Sequence, residues 1–164
     1  MALRFTLLDA KRHDRDSFRC GEPTLDTYLR ERAGQHQRDG IATTHLLVDD
    51  ADAARILGYC SLAAAQLFLA ELQPADRKRL PSYPVPAVRI GRLAVAQAAQ
   101  GKGYGQLLLG HAVHCSLQLR QQLGVRVLLV DALHDQAAAF YRAFGFRATL
   151  DGPTRTLYLS LGKE

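Results

Sequence analysis

Hydrophobic residues recur along the chain with two periods, which predict strands and helices in alternation. Short runs rich in aliphatic and β-branched residues are typical of strands, and apolar residues three or four apart are typical of an amphipathic helix. The predicted strands span residues 4–8, 43–48, 56–69, 88–95, 125–130, 146–150 and 156–161. The predicted helices lie between Pro23 and Gly40, from Gly105 to Leu123 and from Gln136 to Phe144. This order predicts a mixed α/β fold in one domain, residues 1–164, without internal repeats.

The connections between these elements follow from acidic, glycine and proline residues. The acidic turn at residues 49–52 predicts a hairpin of the second and third strands, and residues 151–153 predict a turn before the last strand. Four prolines between Gln73 and Pro86 are expected to exclude regular structure. This segment is therefore predicted to be a stiff surface connection and a candidate wall of a binding site.

The longest predicted helix, Gly105 to Leu123, has one apolar face. That face consists of Leu107, Leu108, Ala112, Cys115 and Leu119. Gly124 follows where a helix C-cap is expected.

Composition limits the cellular setting and the class of partner. The net charge of +5 and the pI near 9.4 suit a polyanion such as nucleic acid, but they also suit many ordinary soluble enzymes. Three widely spaced cysteines favour neither a disulfide framework nor paired zinc knuckles. The N-terminus becomes charged too early for a signal peptide, and no run approaches the ~20 apolar residues of a membrane span. These features predict a cytoplasmic protein without a membrane partner.

The segment GRLAVAQAAQGKGYG, residues 91–105, is the clearest candidate for binding chemistry. Three glycines between an apolar strand and a long helix allow positive φ angles and a close approach of the backbone to a ligand. Free backbone N–H groups at a helix N-terminus bind phosphate, and Lys102 adds a cation at the rim. GKGYG matches neither GxGxxG nor GxxxxGK[ST], which argues against both common nucleotide loops. The alternative is a tight turn that serves packing alone.

Two blocks of residues resemble one family. Gln100-x-x-Gly103-x-Gly105 is similar to the Q/R-x-x-G-x-G/A acetyl-CoA signature of the GNAT N-acetyltransferases. Downstream, Asp131-Ala132 and the run QAAAFYRAFGF at residues 136–146 are similar to the second conserved block of that superfamily. The resemblance implies the GNAT fold, which is a mostly antiparallel sheet flanked by helices. It also implies N-acetyltransferase activity with acetyl-CoA as co-substrate.

The resemblance assigns a role to each part of the site. The backbone of the strand end would pair with the pantetheine arm, the loop amides would bind pyrophosphate, and Tyr141 would donate a proton to the departing thiolate. The cofactor-binding residues implied are Leu93, Ala94, Val95, Gln100, Gly101, Lys102, Gly103, Tyr104, Gly105, Gln106, Ala132 and Ala138. Acetyl transfer is direct in the family, so no cysteine nucleophile is expected. The alternative for Phe140, Tyr141 and Phe144 is a purely structural aromatic core.

The N-terminal half resembles one subgroup of the family, the GNAT toxins of bacterial toxin–antitoxin pairs. The motifs that carry this likeness are Phe18-Arg19-Cys20-Gly21, Leu25-Asp26-x-Tyr28-Leu29, Gly58-Tyr59, Pro84-Val85-Pro86 and Arg92-Leu93-Ala94-Val95. The likeness implies acetylation of the α-amino group of aminoacyl-tRNA, which blocks translation. It further implies a ribbon-helix-helix antitoxin as partner and a homodimer.

Basic residues close to the loop in sequence are the candidates for contact with tRNA phosphates. They are Arg77, Lys78, Arg79, Arg89 and Arg92. The alternative for the cluster at residues 77–79 is an ordinary solvated face, and the alternative for Arg92 is a structural ion pair.

The histidines give no clear base and no metal site. His45 and His134 are candidates for a base, although lone histidines are more often structural. His111 and His114 are three apart on a predicted helix but lack an evident third ligand, so no metal is predicted. Two other functions stay open, namely acetylation of a small amine or protein lysine, and acetyl-CoA binding without catalysis.

Overall fold

The computed structural model describes residues 2–78, 80–82, 84–150 and 155–162, and the predicted turn at residues 151–153 lies outside them. The elements in chain order are β1 (Leu3–Leu7), α1 (Pro23–Glu31), α2 (Ala33–Arg38), β2 (Thr43–Asp49), β3 (Gly58–Leu67), β4 (Val85–Val95), α3 (Tyr104–Leu119), β5 (Val127–Asp131), α4 (Asp135–Ala143), β6 (Arg147–Ala148) and β7 (Thr156–Ser160).

The seven strands follow the order β1-β2-β3-β4-β5-β7-β6. The pairs β1–β2, β2–β3, β5–β7 and β6–β7 are antiparallel, whereas β4 and β5 are parallel. The predicted hairpin is confirmed, since Thr43 pairs with Leu62 and Leu47 with Gly58. The predicted fold class, a mixed α/β fold with a mostly antiparallel sheet, is confirmed as well.

The chain divides into two units, Met1–Ala63 with Gly91–Ala112 and Ala64–Ile90 with Val113–Glu164. In the first unit, the side chain of Gln37 joins α2 to the neighbouring strands. Its amide nitrogen donates to Leu8 O at 2.9 Å, and its oxygen accepts from Thr44 N at 2.9 Å. The second unit has a cluster of buried residues, which are Leu67, Leu72, Val85, Ala87, Val127, Leu129 and Tyr158.

Several predicted boundaries are wrong, and the strand predicted at residues 146–150 spans only Arg147–Ala148. Between Pro23 and Gly40 the chain forms two helices, because the backbone of Arg32 (φ −124°, ψ −31°) departs from helical geometry. β4 begins at Val85, inside the proline-rich segment, and includes Pro86. Proline is compatible with this strand because its φ suits an extended chain and its carbonyl still accepts a hydrogen bond, here from Arg126 N at 2.9 Å.

Another wrong boundary concerns α3, which ends at Leu119, so that Gly124 is not its C-cap. The buried face of the helix also differs from the prediction, since Leu107 is 44% exposed. The buried positions are Tyr104, Leu108, Leu109, Ala112 and Ser116. Tyr104, Leu108, Ala112 and Ser116 lie four residues apart, so the buried stripe follows the helical period but is rotated away from Leu107.

Candidate functional site

The carboxyl end of β4 extends beyond its parallel ladder. The ladder with β5 runs from Ala87–Val127 to Ile90–Val130, whereas β4 continues to Val95. This places the predicted residues Leu93, Ala94 and Val95 on the part of the strand that the ladder does not include. A strand end of this kind can pair with an extended ligand through its backbone.

The loop after β4 has the geometry that its glycines require. Gly101 (φ +81°) and Gly103 (φ +83°) both adopt left-handed backbone conformations, which side chains with a Cβ disfavour. In the described part of the chain, the backbone N–H groups of Gly101, Gly103, Tyr104 and Gly105 donate no hydrogen bond to the protein backbone. These amides lie just before and at the start of α3, a helix of 16 residues. Exposed Lys102 lies among them, so the loop can bind an anion.

Gln100 holds this loop through two hydrogen bonds. Its Nε2 donates to Val95 O at 3.0 Å and to Cys20 O at 2.9 Å. The first bond closes the turn between the strand end and the glycines, and the second ties it to the segment before α1. The backbone of Val95 is therefore partly used within the protein, which the sequence did not indicate.

Close packing around Gly58 fixes the strand end from the other side. A Cβ at Gly58 would lie 2.9 Å from Ala94 O and 2.8 Å from Leu108 Cδ1, too close for either atom. Glycine at this position thus allows β3, the end of β4 and α3 to approach one another. Tyr104, the first residue of α3, is 6% exposed, whereas residues 101–103 before it are exposed.

Tyr141 lies on α4 and is 5% exposed. Its ring contacts Phe140 and Phe146, with centroid distances of 5.3 Å and 5.5 Å. The alternative of a purely structural aromatic core does not hold for all three residues, because Phe144 is 38% exposed and Phe140 is only half-buried. The catalytic role of Tyr141 stays a prediction.

His134 has a structural role at the start of α4. Its Nδ1 accepts a hydrogen bond from Ala137 N at 3.1 Å, so this histidine is the N-cap of the helix. Sequence reasoning missed this role because N-caps are most often Ser, Thr, Asp or Asn. Of the two alanines that the resemblance assigns to the cofactor, Ala138 is buried and Ala132 is half-buried.

The basic candidates for tRNA contact differ in their surroundings. Arg77 is half-buried and Lys78 is exposed, while Arg79 lies outside the described residues. Arg89 forms an ion pair with Asp131, whose other oxygen accepts from Thr156 Oγ1 at 2.8 Å. The charge of Arg89 is thus already balanced within the protein.

A pair of histidines occupies the first unit. His45 Nδ1 and His111 Nε2 are 2.9 Å apart, and the ring of His111 stacks on Phe5 with a centroid distance of 4.1 Å. Burial, and after it the positive charge of His111, lowers the pKa of His45 to about 4. His45 is therefore neutral at physiological pH, whereas His114 is exposed.

Cys20 and Cys115 are poor nucleophiles. Burial, with the nearby Asp26 carboxylate, raises the pKa of Cys20 to about 12, and burial also raises the pKa of Cys115. Both thiols stay protonated near neutral pH, which agrees with direct transfer.

Among the described residues, no helix combines the length and the apolar character needed to cross a membrane.

Comparisons with known proteins identify the family. Residues 42–148, more than half of the chain, match the acetyltransferase (GNAT) domain. The chain is 38% identical over 148 residues to a tRNA-acetylating toxin of Mycobacterium tuberculosis, a match that covers 90% of this chain and 85% of the relative. The chain therefore belongs to the GNAT acetyltransferase family, as its two blocks of residues predicted.

Solved structures agree with this assignment. The complex of AtaT with acetyl-methionyl-tRNAfMet has a TM-score of 0.90 and 27% identity, and the match covers 97% of this chain and 95% of that one. A mutant AtaT toxin bound to acetyl-CoA and the C-terminus of the antitoxin AtaR has a TM-score of 0.82 and 25% identity, with coverages of 98% and 94%. The predicted GNAT fold is confirmed.

Proposed function

We propose that the protein is a toxin that uses acetyl-CoA to acetylate the α-amino group of aminoacyl-tRNA and thereby blocks translation. The observation that carries this proposal is the set of backbone N–H groups of Gly101, Gly103, Tyr104 and Gly105, which donate to no backbone group in the described protein and lie at the start of a long helix. Such a set suits the pyrophosphate of a CoA ester. The tRNA-acetylating relative and the tRNA complex of AtaT support the choice of acceptor.

The donor would be bound by the residues that the family resemblance assigns. Leu93 to Val95 would offer backbone groups to pantetheine, and Lys102 would add a cation beside the pyrophosphate. Gln100 would act mainly by holding the loop, because its side chain already donates to Val95 O and Cys20 O. The family resemblance also assigns Ala132 and Ala138 to the cofactor. The AtaT complex with acetyl-CoA supports acetyl-CoA as co-substrate.

The chemistry requires an acid more than a base. The neutral amine attacks the acetyl carbonyl carbon, so that a C–N bond forms and the C–S bond breaks. The sulfur takes a proton from the phenol of Tyr141, and the amine loses its proton to water. An amine next to an ester is less basic than a lysine amine and is partly neutral near pH 7. Of the two histidines considered as bases, His134 Nδ1 already accepts from Ala137 N, and burial lowers the pKa of His45, so an acceptor that needs no strong base suits these two residues better than lysine.

Contact with the tRNA would depend on basic side chains that form no ion pair with a carboxylate in the described part of the protein. Arg77 and Lys78 are the strongest of these, and Arg79 belongs to the same basic run. Arg92 would contribute from β4. Arg89 is a weaker candidate because it is paired with Asp131.

The partners and setting follow from the subgroup. We include in the proposal a ribbon-helix-helix antitoxin that binds and inhibits the toxin, a homodimeric toxin, and a cytoplasmic location, where charged tRNA is found. The AtaT complex with the C-terminus of AtaR supports an antitoxin partner.

The proposal is tested by incubating the protein with acetyl-CoA and a full set of charged tRNAs, with polyamines and a lysine peptide as competing acceptors. N-acetyl-aminoacyl-tRNA is expected, and Tyr141→Phe should lower kcat by about a hundredfold or more. The affinity for acetyl-CoA, measured by calorimetry, should not change. Product from the lysine peptide or a polyamine alone would favour the other acceptors, and an unchanged kcat would exclude Tyr141 as the acid.

A further inference from the structure

Tyr158 of β7 is a fully buried phenol that contacts the segment between β3 and β4. Its hydroxyl donates to Asp76 Oδ2 at 2.5 Å and accepts from Gln73 N at 2.8 Å. Both of these partners belong to residues 73–76, so the hydroxyl serves that segment, whereas the ring alone could fill the buried space. Burial, and then the Asp76 carboxylate, raises the pKa of Tyr158 to about 12, which keeps the phenol a donor at physiological pH.

Two further contacts attach the same segment to β6. Arg147 Nη1 lies 3.5 Å from Asp76 Oδ2, and Gln73 Nε2 donates to Ala148 O at 3.1 Å. The carboxylate of Asp76 is therefore shared between the phenol and the guanidinium. Its side chain is only 18% exposed, so these charge-assisted bonds are partly shielded from water.

Apolar contacts flank this polar network along the chain. Leu72 is fully buried, and half-buried Leu80 packs against the same cluster, which includes Tyr158 and Leu129. A 3₁₀ turn, Pro74–Asp76, adds a backbone bond from Asp76 N to Gln73 O at 2.9 Å. Residues 72–76 are thus held by side chains and backbone together.

Arg77 and Lys78 follow directly after Asp76, the residue that the phenol holds. We infer that Tyr158 and Asp76 are positioning residues, which fix the backbone at residues 73–76 so that Arg77 and Lys78 meet the phosphates of the tRNA acceptor. This inference rests on the proposed function. A basic segment that is ordered before binding loses less conformational entropy when the RNA arrives. The network thus lowers the KM for tRNA without taking part in the chemistry.

Tyr158→Phe tests this directly, because it removes only the hydroxyl. The KM for charged tRNA should rise about tenfold, on the scale of a lost hydrogen bond to a charged group. The kcat at saturating tRNA and the KM for acetyl-CoA should stay unchanged. Leu157→Val is the matched control, since this neighbouring side chain in β7 is also fully buried and the change removes one methylene from the core. It should leave the KM for tRNA as in the wild type.

A double-mutant cycle separates positioning from a general loss of structure. With Arg77→Ala and Lys78→Ala already present, Tyr158→Phe should cause no further rise in the KM for tRNA. An additive rise, or an equal rise in both KM values, would overturn the inference. If Tyr158→Phe folds poorly, Asp76→Asn provides a second test of the network. It should raise the KM for tRNA by a smaller factor than the tenfold expected for Tyr158→Phe.

The wild-type protein shows which proposal fails. If the wild type acetylates no charged tRNA, the proposed function fails. The inference can still be tested by measuring tRNA binding of the wild type and of Tyr158→Phe by fluorescence anisotropy. Equal binding of the two proteins would overturn the inference. If the wild type acetylates charged tRNA and Tyr158→Phe has the same KM, the inference alone fails.

Discussion

The guanidinium of Arg92 lies over the aromatic ring of Tyr28, with its central carbon 3.7 Å from the ring centroid. The phenol of Tyr28 is in turn 3.1 Å from His36 Nδ1. In the described part of the chain, Arg92 contacts this aromatic face and forms no ion pair with a carboxylate. Its charge is therefore held in place but not neutralised, which suits a contact with phosphate.

We predict that Arg92→Lys and Arg92→Ala differ. Lysine keeps the charge but loses the planar stacking, so it should lower the free energy of unfolding by about 1 kcal/mol and keep most of the tRNA affinity. Alanine should lose both, and the slope of log affinity against log salt should fall by about one. Urea unfolding and salt-dependent tRNA binding measure the two effects. Equal tRNA binding by wild type and Arg92→Ala would restrict Arg92 to a structural role.

Gln100→Glu should weaken the binding of acetyl-CoA. A carboxylate cannot donate to Val95 O and Cys20 O, and its charge would face both carbonyl oxygens. We expect the KM for acetyl-CoA to rise about tenfold through loosening of the glycine loop. Gln118→Glu introduces the same change at an exposed position of α3 and should have no effect. A normal KM for acetyl-CoA in Gln100→Glu would show that the loop does not depend on this side chain.

Gly103→Ala and Gly110→Ala should have opposite effects on stability. Gly103 has a φ of +83°, where an L-residue costs about 1 kcal/mol or more. Gly110 lies within α3 with open space for a Cβ, so alanine there should stabilise the fold by about 0.5–1 kcal/mol. Calorimetry should show weaker acetyl-CoA binding for Gly103→Ala alone. Equal affinities for the two variants would argue against a tight fit between the loop backbone and the pyrophosphate.

The histidine pair predicts a loss of stability in mild acid. The pKa of His45 is lowered from 6.5 to about 4, so the unfolded chain binds more protons than the folded chain between these values. The free energy of unfolding should therefore fall as the pH drops from 6.5 to 4, with a contribution from His45 of about 1–2 kcal/mol after allowance for its partial exposure. The contribution is fully present above pH 6.5.

Comparison of wild type with His45→Gln isolates this contribution from that of other titrating groups. Denaturant unfolding at several pH values should give a shallower decline for His45→Gln between pH 6.5 and 4. Parallel curves for the two proteins would mean that the histidine pair does not titrate as its burial indicates.

The sequence predicted the fold class and the family because both depend on local patterns. Strand periodicity located the core strands to within a few residues, and the glycines at residues 101 and 103 marked the positions where the backbone has a positive φ. These features are visible in sequence because one residue type is needed at one place. The family blocks then supplied an interpretation of the loop that spacing alone did not give.

Contacts between residues far apart in the chain could not be predicted in the same way. Gln100 and Cys20 are 80 residues apart, Tyr158 and Asp76 are 82 apart, and Arg89 and Asp131 are 42 apart. Each contact depends on strand order and register, which the pattern of one segment does not contain. The break at Arg32 was missed for a related reason, because the helical pattern continues through a residue whose backbone is not helical.

The identity of the acetylated atom tests the central claim most directly. A charged tRNA that serves as acceptor is compared with the same tRNA whose α-amino group has been formylated, each with isotopically labelled acetyl-CoA and followed by nuclease digestion and mass spectrometry. The predicted result is labelled N-acetyl-aminoacyl-adenosine from the first tRNA and no label from the second. Label on the formylated tRNA, or no labelled product from any charged tRNA, would contradict the account.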